Sequence, residues 1–443
     1  MALAVSLLFS GCSLSGMDTQ TLMRPPRPTG ERALIHDELE KSAGGSPVLK
    51  YPSRGQYRSA IVMHDLVSIG QEDAIAFYQR KGESAGINVV FIHKEDGIWT
   101  AIGDFNNPAS TVDKVSFGDV NGDGRDEAVI GWGSNVNNST MLCVYYYSGG
   151  AMHELKLEQS YTETVVMDFD DDQCDEIFTA SVTVGGQPAV ARLLRIKDNQ
   201  PEIVGSANLD TAVTSYASTT AGLISDSGGL KGVVLDGRRS ADTLVTELLY
   251  WDKETSTLQS PFYDSNAQGA NYTLRKTRAV SQTVGGGKII EIPLVTPMPG
   301  YTADTAPDET NYLTNWHRFD EKEGTLVRSA SMVMDYTDGY SFLVPDMWRG
   351  KVSTRMDAAS RSLTFYEWVV ADKNSGSGAM GAALLRLQVF TKDKWDRQEG
   401  TEGYYQLLDN NNLVFAASIP TPDNALSLNI NDIKNGFKLI RQE

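Results

Sequence analysis

The chain has 443 residues, with 39 basic and 57 acidic side chains and a formal net charge of −18. An acid surplus of this size excludes a nucleic-acid backbone or an anionic lipid surface as the main partner. Three cysteines exclude a disulfide scaffold, and the length calls for more than one domain.

Taken in chain order, Ala2 to Phe9 is apolar and too short to span a bilayer, which fits the apolar core of a signal peptide over residues 1–11. The next residues, Phe9-Ser10-Gly11-Cys12, resemble the bacterial lipobox. That resemblance implies lipidation of Cys12 and a tether to the outer face of a cell membrane, since several acyl chains together anchor stably. The alternative is an apolar tail with an incidental cysteine. Residues 12–45 then read as a lipidated N-terminus and linker. The stiff run Arg24-Pro25-Pro26-Arg27-Pro28 precedes a short helix from Glu31 to Ser42, stopped by Gly44-Gly45.

Five repeats of one unit follow, over residues 46–335. A short apolar strand recurs at intervals of about 55 residues: Ala74 to Tyr78, Ala128 to Trp132, Ile177 to Ala180, Val233 to Leu235 and Ile289 to Ile292. A hairpin signal recurs in phase with it, after Val89 to His93, Leu142 to Tyr147, Leu193 to Ile196, Leu248 to Trp251 and Trp316 to Phe319. Units of this length match a four-stranded propeller blade, and each must stack on its neighbours to bury both faces. The fifth unit carries an insertion near Thr296 to Glu309.

The second unit opens with Asp119-Val120-Asn121-Gly122-Asp123-Gly124-Arg125-Asp126-Glu127, in which oxygen-bearing residues alternate and a glycine permits the sharp turn. A strand follows it, and Ile130 stands where an EF-hand needs a bidentate Glu, so helix–loop–helix calcium motifs are excluded. The loop resembles the FG-GAP/VCBS repeat of β-propellers. The resemblance implies a structural Ca²⁺ held by Asp119, Asn121, Asp123 and Glu127, with Arg125 giving its backbone carbonyl. A metal-free acidic turn is the alternative. The third unit repeats the pattern with Asp168, Asp170, Asp172 and Glu176 as ligands and Cys174 at the position of Arg125. Here Gln173 replaces the turn glycine, so the turn and the metal are both open. The first, fourth and fifth loops lack the ligand set. Cys143 and Cys174 are expected to be free thiols.

Residues 336–443 read as a separate α+β domain, with strands from Ser362 to Val370, Ala382 to Phe390 and Leu413 to Ile419 and a closing helix from Asp432 to Ile440. Its opening, Val344-Pro345-Asp346-Met347-Trp348, is similar to that of PsbP-like domains, an unassigned α+β module being the alternative. Trp348, Trp368 and Trp395 are candidates for a groove, although Trp is more often core. In layout the chain is similar to VCBS-repeat lipoproteins of anaerobic Gram-positive bacteria, through the lipobox, the Arg24 to Gly30 segment, the repeats and the C-terminal domain.

The fold class is therefore mainly β: a propeller of about five four-stranded blades plus a C-terminal α+β domain. No histidine lies at metal-ligand spacing from another His or Cys, there is no Gly-x-Ser-x-Gly elbow, and Gly285-Gly286-Gly287-Lys288 is a turn rather than a phosphate loop. A binding module for a glycan or surface protein is favoured. The alternative is a carbohydrate-active enzyme, a polysaccharide lyase or hydrolase, whose acid–base carboxylates the sequence does not single out.

Overall fold

The computed structural model describes residues 29–440 apart from 84, 135–138, 227, 264–270, 303–304, 306–309 and 373–376. The expected leader and Cys12 lie outside the described residues. The chain divides into two compact units, Met1–Phe117 with Arg125–Glu158, and Gly118–Gly124 with Gln159–Glu443. Among the described residues no helix is long and apolar enough to cross a membrane.

In the first unit, helix α1 (Glu31–Ala43) ends at Gly44, whose φ of 72° lets the last amides fold back onto Glu40 and Lys41. Sheet I contains β1 (Val48–Leu49), β2 (Ile61–Ser68), β3 (Gln71–Gln79), β4 (Ile87–Glu95) and β5 (Ile98–Asn107). Sheet II runs in chain order through β6 (Thr111–Gly118), β7 (Glu127–Ser134), β8 (Ser139–Ser148) and β9 (Ala151–Ser160). Strands β3 and β4 are apolar without alternation because both their faces are covered. Ala74, Ala76, Tyr78, Val90 and Ile92 pack with Ile35 and Leu39 of α1. On the other face Ile75, Phe77, Val89 and Phe91 pack with Val112, Ile130, Trp132 and Tyr145. The helix assigned to the linker by the sequence thus serves as the outer cover of sheet I.

In the second unit, sheet III runs in chain order through β10 (Glu163–Met167), β11 (Glu176–Ser181), β12 (Val190–Lys197) and β13 (Gln200–Asn208). Sheet IV contains β14 (Ser215–Leu223), β15 (Lys231–Arg238), β16 (Thr243–Asp252) and β17 (Thr257–Gln259), with β18 (Arg275–Lys276) beside β16. Sheet V begins with β19 (Gln282–Thr283), β20 (Ile290–Pro297), β21 (Tyr312–Asp320), β22 (Thr325–Asp335) and β23 (Tyr340–Leu343). Sheet VI follows, with β24 (Val352–Asp357), β25 (Ser362–Val370), β26 (Gly378–Thr391), β27 (Tyr405–Asn410) and β28 (Leu413–Ser418). Strand β29 (Phe437–Leu439) then returns to complete sheet V beside β23. Sheets I to V are antiparallel meanders at the expected positions, the topology of propeller blades. Val233, Leu235 and Leu249 of sheet IV pack on Phe178 and Leu193 of sheet III, and Val234 and Leu248 pack on Ile290, Ile292 and Phe319 of sheet V.

The segment after residue 335 differs from the expected helix-and-strand module in two ways. Strand β22 ends at Asp335 and forms a hairpin with β23, so sheet V continues across the expected boundary. The expected helix from Asp432 to Ile440 is a seven-residue helix, α3 (Ile430–Gly436), running straight into β29; the short α2 (Lys392–Asp396) precedes it. Asn429 caps α3 by accepting the Asn431 and Asp432 amides, but Phe437 is taken by Tyr340, at 5.2 Å between ring centroids, and by Phe415, at 5.5 Å. Long-range pairing here overrides a helical pattern. Trp348 is buried in the joint core of sheets V and VI, where its indole N–H donates to the Leu426 carbonyl at 2.6 Å, so it lines no groove.

Candidate functional site

The two acidic loops are built alike. Asp119 turns its carboxylate inward: one oxygen accepts the Gly122 and Asp123 amides at 2.8 and 3.1 Å, the other the Gly124 amide at 2.8 Å. Asn121 also accepts the Asp123 amide, at 2.8 Å. Gly122 and Gly124 both have positive φ, at 74° and 84°. In the other loop Asp168 accepts the Asp170 and Gln173 amides, and Gln173 takes φ 73°, the conformation of Gly124 without the glycine. That substitution costs on the order of 1 kcal/mol of backbone strain. The loops touch: the Asp175 amide donates to the Asp119 carbonyl at 2.7 Å. Glu127 is buried at the start of β7, and Arg125 reaches the Tyr147 carbonyl at 3.3 Å.

The 168–176 loop is filled by basic side chains. Asp168, Asp170 and Glu176 bring carboxylate oxygens within 4.8 Å of one another. Arg195 occupies this cluster. Its Nε meets Glu176 at 2.8 Å, while its Nη2 donates to Asp170 and lies 3.8 Å from Asp172. Lys231 reaches Asp171 at 2.7 Å and the Asp168 carbonyl at 2.8 Å, and Lys253 reaches Asp171 at 2.8 Å. Hydrogen bonds from Lys231 and Lys253 hold the Asp171 carboxyl down at about 2. Burial pushes Glu176 up to about 7, against the pull of the Phe169 amide and Arg195. Cys174 carries no disulfide; burial, then Asp119 and Asp172, raises its thiol to about 12. Another cluster, His36, Asp37 and Glu40, lies on α1, where Glu40 accepts the Ser46 hydroxyl.

Glu176 belongs to a recurrent device that sequence reading missed. An acid near the start of a strand faces a base on the next strand of the sheet. Asp73 meets His93 at 2.6 Å, Glu176 meets Arg195, and Glu291 meets Arg318 at 2.9 Å. Asp73 also accepts the Leu66 and Val67 amides near the end of β2, and Glu176 accepts the Phe169 amide of the loop before β11, so each of these two ties down the segment that precedes its own strand. The signal lay in the cross-strand position of His93, Arg195 and Arg318, which is readable only once register is known.

A cleft with a volume of about 510 Å³ opens on one face of sheet V. Met332 and Leu343 give it an apolar floor, and Lys438, Asn435 and the Gly285-Gly286 turn give it a polar rim. The Lys438 ammonium makes no ion pair among the described residues. Glu291 lies in this cleft with both carboxylate oxygens engaged, one by Arg318 Nε at 2.9 Å and the other by the Ser329 hydroxyl at 2.6 Å.

No protein-family model and no curated protein matches the chain. Among solved structures it is similar to a Lactobacillus plantarum protein at 9% identity, over 72% of this chain and 83% of that one, with a TM-score of 0.30. It is similar to a Bacillus licheniformis rhamnogalacturonan lyase at 12% identity, over 76% and 77%, with a TM-score of 0.30. It is also similar to an exo-β-1,3-galactanase from Phanerochaete chrysosporium at 8% identity, over 78% and 81%, with a TM-score of 0.28. Superpositions at this level establish no shared site and no shared chemistry.

Proposed function

We propose that the protein is a binding module on a propeller-like scaffold, and that a glycan or peptide ligand lies in the sheet V cleft. The observation behind this reading is the state of Glu291. With one oxygen taken by Arg318 and the other by Ser329, this carboxylate has no oxygen left to face a ligand, which argues against a role in lyase or hydrolase chemistry there. The apolar floor with a few polar groups on its rim suits recognition, and Lys438 is available to meet an acidic group. Arrays of glycans and peptides should give a signal with the native protein, and the double variant Leu343→Asp, Lys438→Glu should lose it. An unchanged array pattern in that variant removes the cleft as the site.

In the same reading the 119–127 loop takes up calcium as a structural pin. Its donors are all oxygen, its two glycines allow the turn, and Asp119, Asn121 and Asp123 would hold the ion. Calcium would supply stiffness there, not reactivity. Calcium should raise the melting temperature and Asp123→Ala should remove most of that rise; melting curves identical in calcium and in EDTA count against the site.

A further inference from the structure

We propose that the 168–176 loop holds no metal, and that Arg195, Lys231 and Lys253 are its permanent counter-ions, clasping sheet III to sheet IV. Calcium takes six to eight oxygens at about 2.3–2.6 Å. In this loop the oxygens that would supply them face a guanidinium: Arg195 engages Glu176 and Asp170 and approaches Asp172. A divalent ion would have to share these carboxylates with a group of its own sign a few ångströms away. Arg195 is not free to swing out. It stands opposite Glu176, one step beyond the Ile177–Leu194 pair, and its guanidinium lies over the Trp251 ring at 5.9 Å from the centroid.

Sheet IV supplies the other two cations, and they reach the loop where a metal would otherwise tie it down. Lys231 opens β15, as Asp175 comes just before β11. The Asp175 amide donates to the Asp119 carbonyl of the preceding loop, and the Lys231 ammonium donates to the matching Asp168 carbonyl. The Asp119 carbonyl is thus met by a backbone amide and the Asp168 carbonyl by a lysine, whose second hydrogen bond goes to Asp171. Lys253 completes the pairing of Asp171 from the far end of β16. The clasp stands whether or not the 119–127 loop takes up calcium.

Asp170→Asn separates the two possibilities. For a counter-ion clasp it weakens the Arg195 pair and lowers the melting temperature by the same interval in EDTA and in saturating calcium. For a metal site it acts only in calcium, and that result overturns the proposal. Should Asp170→Asn fail to fold, Arg195→Gln and Arg195→Lys answer the same question in EDTA. The clasp requires Arg195→Gln to lower the melting temperature and Arg195→Lys, which keeps the charge, to lower it less. If neither variant changes the metal-free melting curve, the clasp is wrong.

Discussion

Glu247 shows how much a single buried carboxylate can impose. It sits in β16 at 2% exposure, with one oxygen accepting the Asp210 amide at 2.6 Å and the other without a partner. Burial pushes its carboxyl up to about 7. A carboxyl raised in the folded state binds a proton that the unfolded chain has released, so stability falls as pH rises from about 4.5 to about 7. The gap corresponds to at most about 3 kcal/mol. Glu247→Gln keeps the acceptor for Asp210 and removes the titration. Denaturant melts at pH 5 and pH 8 should show the variant gaining on the native protein at the higher pH; a stability difference independent of pH contradicts this. Nothing in Leu244-Val245-Thr246-Glu247-Leu248-Leu249 signals such a role, because the amide that Glu247 serves lies 37 residues away. The acidic loops were more legible: Asp119 and Asp168 accept local amides, as alternating oxygen ligands suggest. The basic partners of the 168–176 loop were not, since Arg195, Lys231 and Lys253 lie far along the chain from it.

At the scale of elements, strands with a local hairpin partner were readable, and those that pair over long distances were not. The second strands of all five units appear where the apolar runs predict them, because Asp, Asn and Gly turns bracket each run. Strand β29 was misread as helix because Ile430 to Gly436 begins one and only a distant neighbour stops it. Its value to the fold can be measured. Phe437 is 7% exposed and pairs across from Phe342. Phe437→Ala should cost about 3–4 kcal/mol in urea unfolding, as for other large-to-small core changes. Lys438→Ala, on the outward side of the same strand, should stay within about 0.5 kcal/mol. Equal effects of the two substitutions would show that β29 contributes little.

At the scale of the whole molecule, the repeat period survives in the sequence because each sheet must bury both faces, so apolar strands return at the interval of a blade. The sequence was silent on how successive sheets are tied. In the first unit His64 meets Asp126 at 2.7 Å between sheets I and II; in the second Lys231 meets Asp168 and Asp171 between sheets IV and III, and Arg318 meets Asp226 at 3.0 Å between sheets V and IV. One structural task solved by several chemistries leaves no motif to find, and only the best-preserved loop advertised itself.

The pairing of β23 with β29 also sets a clock. Ser341 and Lys438, which face each other in it, are 97 residues apart. At ribosomal rates of about 5–20 residues per second, the edge of β23 waits roughly 5–20 s for its partner to be made. During that interval sheet V presents an open hydrogen-bonding edge beside Phe342, the kind of surface that recruits foreign strands. Translation speed through sheet VI therefore determines how long the nascent chain is exposed to aggregation.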